Sequence, residues 1–224
     1  MKKYDLSKRR KEGDELINRF LRNISRQISK VLIKYTSITP NQVTYFSMIL
    51  LITSMIFLLN ESYKYRIIGG VLIIIYLIFD FVDGEIARAK NKGSDFGKWF
   101  DGLIGFIGAP VITLVVAISL GSYYALLLGS LAMLAFPLQF MFIYGYKVEI
   151  TKSLEKIDIP VKSKFDFIRY TYGISLFYFL LFVSVLINKP LWFLGFYATF
   201  GNLFWLGIVV TQLVQLRKKD LEKQ

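Results

Sequence analysis

Three carboxylates and five small residues carry the chemical interest of this chain. In the run Asp80-Phe81-Val82-Asp83-Gly84-Glu85-Ile86-Ala87-Arg88, positions 80, 83, 84 and 87 fall on one stripe of a helix. That stripe reads acid, acid, glycine, alanine, and Arg88 continues near the same side. The minimal side chains of Gly84 and Ala87 leave room for a ligand to reach the backbone. A second run opens at Gly97, and Asp101 lies four residues on, so a third acid shares a helical face with another glycine. Gly105 and Gly108 extend that face. Two helices joined as a hairpin would bring the three acids together. Oxygen donors without imidazole or thiolate suit Mg²⁺, Mn²⁺ or Ca²⁺. Such an ion, with small residues around it and bases nearby, points to a phosphate-bearing ligand. The competing reading is that these acids end their helices and pair with Lys90, Lys92 and Lys98.

Apolar elements must position these acids. The chain has 224 residues, of which 54% are hydrophobic and 17% aromatic, and its mean hydropathy is +0.48. It contains no Cys and no His, which excludes disulfide scaffolds, thiolate and imidazole metal sites, and histidine-based triads. Six apolar runs, at about 43–59, 67–82, 98–119, 122–145, 167–187 and 190–213, approach the roughly 20 residues of a membrane helix. None has the flanks of a cleaved signal peptide. The expected fold is therefore all-α: a six-helix membrane domain over 39–215, preceded by a segment 1–38 and followed by a tail 216–224.

The net charge of +12 sorts by position. Of 28 Lys and Arg residues, 25 lie in 1–42, 88–98, 147–169 and after 213; the alternate loops hold Lys64, Arg66 and Lys189. The bias of basic loops toward the cytoplasm places both termini and the 88–98 and 147–169 connections there, in a multi-pass protein of the cell membrane. The charge then reads as topology and attraction to anionic lipid, not as a nucleic-acid footprint.

In the first segment, Ile17, Phe20, Leu21, Ile24, Ile28, Val31, Leu32 and Tyr35 share one helical face, opposite Arg19, Arg22, Arg26, Lys30 and Lys34. This is the pattern of an amphipathic helix lying in the membrane interface, or of one packed on a partner. The first span should start on a capping box, with Thr39 as N-cap, Pro40 at the first helical position and Gln42 closing back. Pro110 and Pro137 should bend the third and fourth spans. Asn202, in mid-span, should hydrogen-bond to another helix.

The segment 80–101 resembles the signature of the CDP-alcohol phosphotransferases, integral membrane enzymes of phospholipid synthesis. Their pattern is D-x2-D-G-x2-A-R-x8-G-x3-D-x3-D, and Asp80, Asp83, Gly84, Ala87, Arg88, Gly97 and Asp101 match it. The stretch Thr-Pro-Asn-Gln-Val-Thr at 39–44 also resembles the family's approach to its first membrane helix. One position departs: the last Asp of the pattern falls at residue 105, which is Gly. Asp95, six residues before Asp101, would point elsewhere on a regular helix and does not obviously replace it.

The resemblance implies an interfacial helix followed by six membrane helices, assembled as a homodimer. It implies displacement of CMP from a CDP-alcohol, usually a CDP-lipid, by the hydroxyl of a polar acceptor. It assigns Asp80, Asp83 and Asp101 to a Mg²⁺ or Mn²⁺ ion bridging the CDP diphosphate. Gly84 and Ala87 would pack under the nucleotide, Arg88 would support the phosphates or the acids, and Gly97 would allow close approach from the third span. Asn41 and Thr44 would flank the nucleotide. The missing Asp at 105 is the family's general base, which leaves Asp101 as the catalytic candidate and opens the alternative of a weak or inactive CDP-binding homologue. Gly105 also has a packing reading, on a Gly102/Gly105/Gly108 face. Arg169, with Lys147 and Lys164, would bind the phosphate of an acceptor such as glycerol phosphate or inositol phosphate, if these residues are more than ordinary cytoplasmic charge. A small transporter is the reading from another class, but the acids lie toward one edge and no inverted repeat is evident.

Overall fold

The computed structural model describes residues 16–151 and 173–221, and every regular element among them is helical. These are α1 (Leu16–Tyr35), α2 (Pro40–Leu58), α3 (Tyr63–Lys90), α4 (Asp95–Ser119), α5 (Tyr123–Ala132), α6 (Ala135–Tyr146), α7 (Ile174–Leu186), α8 (Pro190–Phe196) and α9 (Asn202–Leu221). Among the described residues, five stretches are long and apolar enough to cross a membrane: α2, α3, α4, the α5–α6 run Tyr123–Ile150, and Pro190–Lys218. The expected fifth span, 167–187, is described only over α7, a shorter apolar helix. Helix α9 continues to Leu221, into the segment expected as a tail.

The chain forms two compact units, and it passes from one to the other within α4 and again after Pro190. The first holds α1, α2, α3, the start of α4 and α7. Its centre is α3, which packs on α1, α2 and α7. Adjacent glycines give α3 two close approaches. A Cβ at Gly69 would meet Leu58 Cγ at 2.8 Å, and one at Gly70 would meet Phe182 Cδ2 at 3.3 Å. Without a hydrophobic drive between helices in lipid, small residues of this kind let backbones close on each other. Helix α2 starts on the capping box: Thr39 Oγ1 accepts from the Gln42 N–H, and Gln42 Oε1 accepts from the Thr39 N–H at 2.8 Å.

Helix α1 refines the sequence expectation. Its apolar face divides into two stripes. Leu21, Ser25 and Ser29 are buried against the rest of the unit, while Phe20, Val31 and Tyr35 remain exposed. Ile28, Leu32 and Ile33 pack on a cluster of Val43, Val82 and Ile86. The partner that covers α1 is thus its own chain, chiefly α3.

In the second unit, the fourth span is broken at Met133-Leu134, just before Pro137. Proline cannot donate to the carbonyl four residues back, at Met133, so the break falls where the ladder is already open. Pro110 is accommodated inside a continuous α4. Asn202 does what its mid-span position suggests. Its Nδ2 donates to the Leu131 carbonyl of α5 at 2.9 Å, and its Oδ1 accepts from Trp205 Nε1 at 2.9 Å.

Candidate active site

The site is a hairpin of α3 and α4. Helix α3 has 28 residues, about 42 Å at 1.5 Å each, which exceeds a hydrocarbon core of about 30 Å. Asp80 and Asp83 fall about 26 and 30 Å along it, at the edge of the apolar span. The helix stops on Asn91, whose φ of 51° is left-handed. The Lys92 N–H then bonds back to the Ala87 carbonyl at 3.1 Å, closing the end of α3. Four residues separate α3 from α4, and the last of them, Ser94, caps α4: its Oγ accepts from the Gly97 N–H at 3.0 Å. This short connection turns α4 back beside α3 in the register that the spacing of the acids required.

Across the hairpin, the carboxyl groups of Asp80 and Asp101 come within hydrogen-bonding distance of each other. Asp83, one turn from Asp80, is buried, and its Oδ2 accepts from Thr44 Oγ1 of α2 at 2.6 Å. The same hydroxyl lies 3.2 Å from the Pro40 carbonyl; with one hydrogen, its shorter partner is the acid. Among the described residues, no three acids close on one point as a formed cation site.

Lys90 and Lys98, proposed above as salt-bridge partners, are engaged elsewhere. Lys90 Nζ donates to the Ile38 carbonyl at 2.7 Å, and Lys98 Nζ lies 3.7 Å from Asp95 on the exposed surface.

The small residues divide by what they admit. A Cβ at Gly97 would meet Asn41 Oδ1 at 2.7 Å and Ser94 Oγ at 3.0 Å, so Gly97 makes room for the Asn41 side chain. A Cβ at Gly84 would meet Arg88 Nη1 at 3.1 Å, so the guanidinium folds back over Gly84. Gly108 fits against Leu51 and the Tyr178 hydroxyl. Gly102 and Gly105 have no other group of the described chain within 4 Å of such a Cβ. None of the described residues packs on Gly105, and among them an acid could be built there.

Sequence reasoning missed two features. Thr44, expected beside the nucleotide, also donates to Asp83 and so orients it. Below the acids, Tyr76 and Tyr178 are fully buried with rings edge to face, centroids 5.3 Å apart. A tyrosine four residues before Asp80 was the available signal, since it shares the acids' stripe. Of the acceptor candidates, Lys164 and Arg169 lie outside the described residues, as does the side chain of Lys147.

The geometry thus defines a class: an all-helical protein with several spans able to cross a membrane and an acid-lined helical hairpin at the edge of the apolar region. Residues 37–213 match the CDP-alcohol phosphatidyltransferase family, and the chain belongs to it. It is 36% identical over 93 residues to a bifunctional IPC transferase and DIPP synthase of Aquifex aeolicus (strain VF5), a match covering 41% of this chain and 20% of that protein. A protein of the same description from Thermococcus kodakarensis (strain ATCC BAA-918 / JCM 12380 / KOD1) is 33% identical over 93 residues, with the same coverage. The chain therefore spans about a fifth of the length of these curated relatives.

Proposed function

We propose that this protein is a membrane phosphotransferase that displaces CMP from a CDP-linked lipid with the hydroxyl of a polar alcohol, in phospholipid synthesis. The observation that carries this is the meeting of Asp80 and Asp101 across the hairpin, with Asp83 one turn away. An all-oxygen donor set of this kind fits Mg²⁺ or Mn²⁺, held by Asp80, Asp83 and Asp101. The ion, when bound, neutralises the diphosphate and stabilises the departing CMP. Arg88, folded over Gly84, adds positive charge for the phosphates. Asn41, admitted by Gly97, lines the nucleotide side of the hairpin; Gly84 and Ala87 keep the α3 face low beneath it, and Thr44 acts through Asp83.

In the reaction, the acceptor oxygen bonds to the phosphorus that carries the lipid alcohol. The bond from that phosphorus to the bridging oxygen breaks, CMP leaves with that oxygen, and the acceptor proton passes to a base. Asp101, one turn before Gly105, is the group we assign to that proton; because it also serves the ion, it is a poorer base than a free carboxylate at 105 would be. The acceptor is a phosphorylated polyol such as glycerol phosphate or inositol phosphate, its phosphate met by Arg169, Lys147 and Lys164. Donor tails stay in the bilayer and the acceptor arrives from the cytoplasm. The protein is a homodimer in a membrane containing anionic lipid. Release of CMP from CDP-lipid by the purified protein, with Mg²⁺ and a panel of acceptors, is the test; no CMP with any acceptor or metal defeats the proposal.

Gly105 favours a second reading, a homologue that binds CDP-lipid but turns over slowly. CDP binding by calorimetry without CMP release would select it.

A further inference from the structure

Glu85 has no part in the site just described. It follows Gly84 directly, yet it faces the opposite side of α3, with Val82 and Ile86, and it is 4% exposed. Ser25 Oγ donates to its Oε1 at 2.9 Å and Ser29 Oγ to its Oε2 at 2.7 Å. Both serines are fully buried, and they sit one turn apart on α1. The Ser25 hydroxyl also lies 3.2 Å from the Arg22 carbonyl, a longer approach than to the acid. Around this contact, Ile28, Leu32 and Ile33 pack on Val82 and Ile86. The Arg22 guanidinium stands 5.1 Å from the centroid of the Phe81 ring. Beyond it, Lys90 ties the end of α3 to Ile38.

We infer that α1 is a positioning brace for the acid-bearing turns of α3, keyed by the hydrogen bonds from Ser25 and Ser29 to the two oxygens of Glu85. Apolar contact is non-directional and lets one helix slide or turn against another. Hydrogen bonds to both oxygens of one carboxylate do not, because they weaken steeply with distance and angle. A buried carboxylate stripped of its donors is costly, so the register that satisfies Glu85 is held. That register sets where Asp80 and Asp83, on the far side of the same two turns, meet α4. The brace thus acts on the site through the rotation of α3, and Glu85, Ser25 and Ser29 are positioning residues.

The rate readout of this inference rests on the function proposed above, so the experiment also uses readouts that need no turnover. The protein in lipid vesicles is compared as wild type, S25A/S29A, S25T/S29T and Glu85→Gln. The measurements are kcat and KM for CMP release, Mn²⁺ binding by electron paramagnetic resonance, and hydrogen exchange of the amides at 80–88. S25A/S29A should lose about 10- to 100-fold in kcat and a similar factor in Mn²⁺ affinity, as loss of groups supporting metal ligands does. The KM of the acceptor should be unchanged and exchange at 80–88 faster. S25T/S29T, which keeps both hydroxyls, should recover each value. If S25A/S29A does not fold, Glu85→Gln carries the test, because its amide retains one acceptor and nearly the same shape. Wild-type kcat, Mn²⁺ affinity and local exchange in a folded variant overturn the brace. If wild type releases no CMP, the phosphotransferase reading fails, and binding and exchange still decide the brace.

Discussion

Restoring a carboxylate at position 105 separates a competent transferase from a slow one. In Gly105→Asp the new Cβ has no other group of the described chain within 4 Å, so no steric term arises. Replacing a mid-helix glycine recovers a few tenths of a kcal/mol in propensity. A second acid one turn from Asp101 costs about 0.5 kcal/mol on an exposed helix. The site lies ten residues into α4, about 15 Å from its start. An acid at the centre of a membrane helix costs about 2.5–3.5 kcal/mol on insertion scales, an upper limit for a position this near the polar hairpin. The sum stays below the roughly 5–15 kcal/mol that holds a typical domain together, so the variant should fold. A positioned general base contributes about 10²–10⁴ in rate, equivalent to about 3–5 kcal/mol of barrier. CMP release from CDP-lipid, measured with Mg²⁺ and an acceptor panel, should therefore rise by at least about 100-fold. The control is CDP affinity by calorimetry, which should change little. A folded variant that binds CDP normally but gains no rate would refute the reasoning, and would show that Asp101 or another group already takes the proton.

Asp80→Asn and Asp101→Asn should each abolish detectable CMP release while leaving the protein at least as heat-stable as wild type without metal, because each relieves two carboxyl groups forced together. Saturating Mn²⁺, at about 100 times its dissociation constant, should stabilise wild type by about 2.7 kcal/mol, read as a rise in Tm that both variants lack. Thr44→Val removes the donor to Asp83 and should cost about 1–3 kcal/mol in stability and about 10- to 100-fold in metal affinity, measured by thermal unfolding and Mn²⁺ titration; unchanged values would mean that Asp83 is oriented by other groups. Gly97→Ala should reduce CDP affinity by displacing Asn41, and Asn41→Ala in the same chain should make the alanine at 97 harmless; additive losses in this double-mutant cycle would show that the two do not share one contact.

The acids were legible because two regularities coincide on them. Helical periodicity puts Asp80 and Asp83 on one stripe, and the spacing to Asp101 is that of a hairpin with a short turn. Thr39 and Asn202 were legible for a related reason: a cap and a mid-span amide each have few ways to be satisfied, and the structure uses the expected one. Glycines were legible only in part. Gly97 announces that something comes close, but sequence alone does not name the Asn41 side chain that does.

The Glu85 contact was hidden by a stronger signal. Eight apolar residues on α1 define a face whose centre the eye places on lipid. The surface buried against α3 is rotated from that centre, onto Leu21, Ser25 and Ser29. Glu85, for its part, reads as one more acid in an acidic motif, although Val82 and Ile86 place its face of α3 inside. A buried acid requires donors, and serines at i and i+4 on the border of an amphipathic face are candidates to supply them. What no single-sequence pattern supplies is the pairing of residues 60 positions apart, which only the packing of α1 on α3 decides. One helix thus has two roles to separate: α1 offers Phe20, Val31 and Tyr35 outward and holds Glu85 inward. A substitution on the outer stripe should therefore leave Mn²⁺ affinity and exchange at 80–88 intact, whereas one at Ser25 or Ser29 should change both.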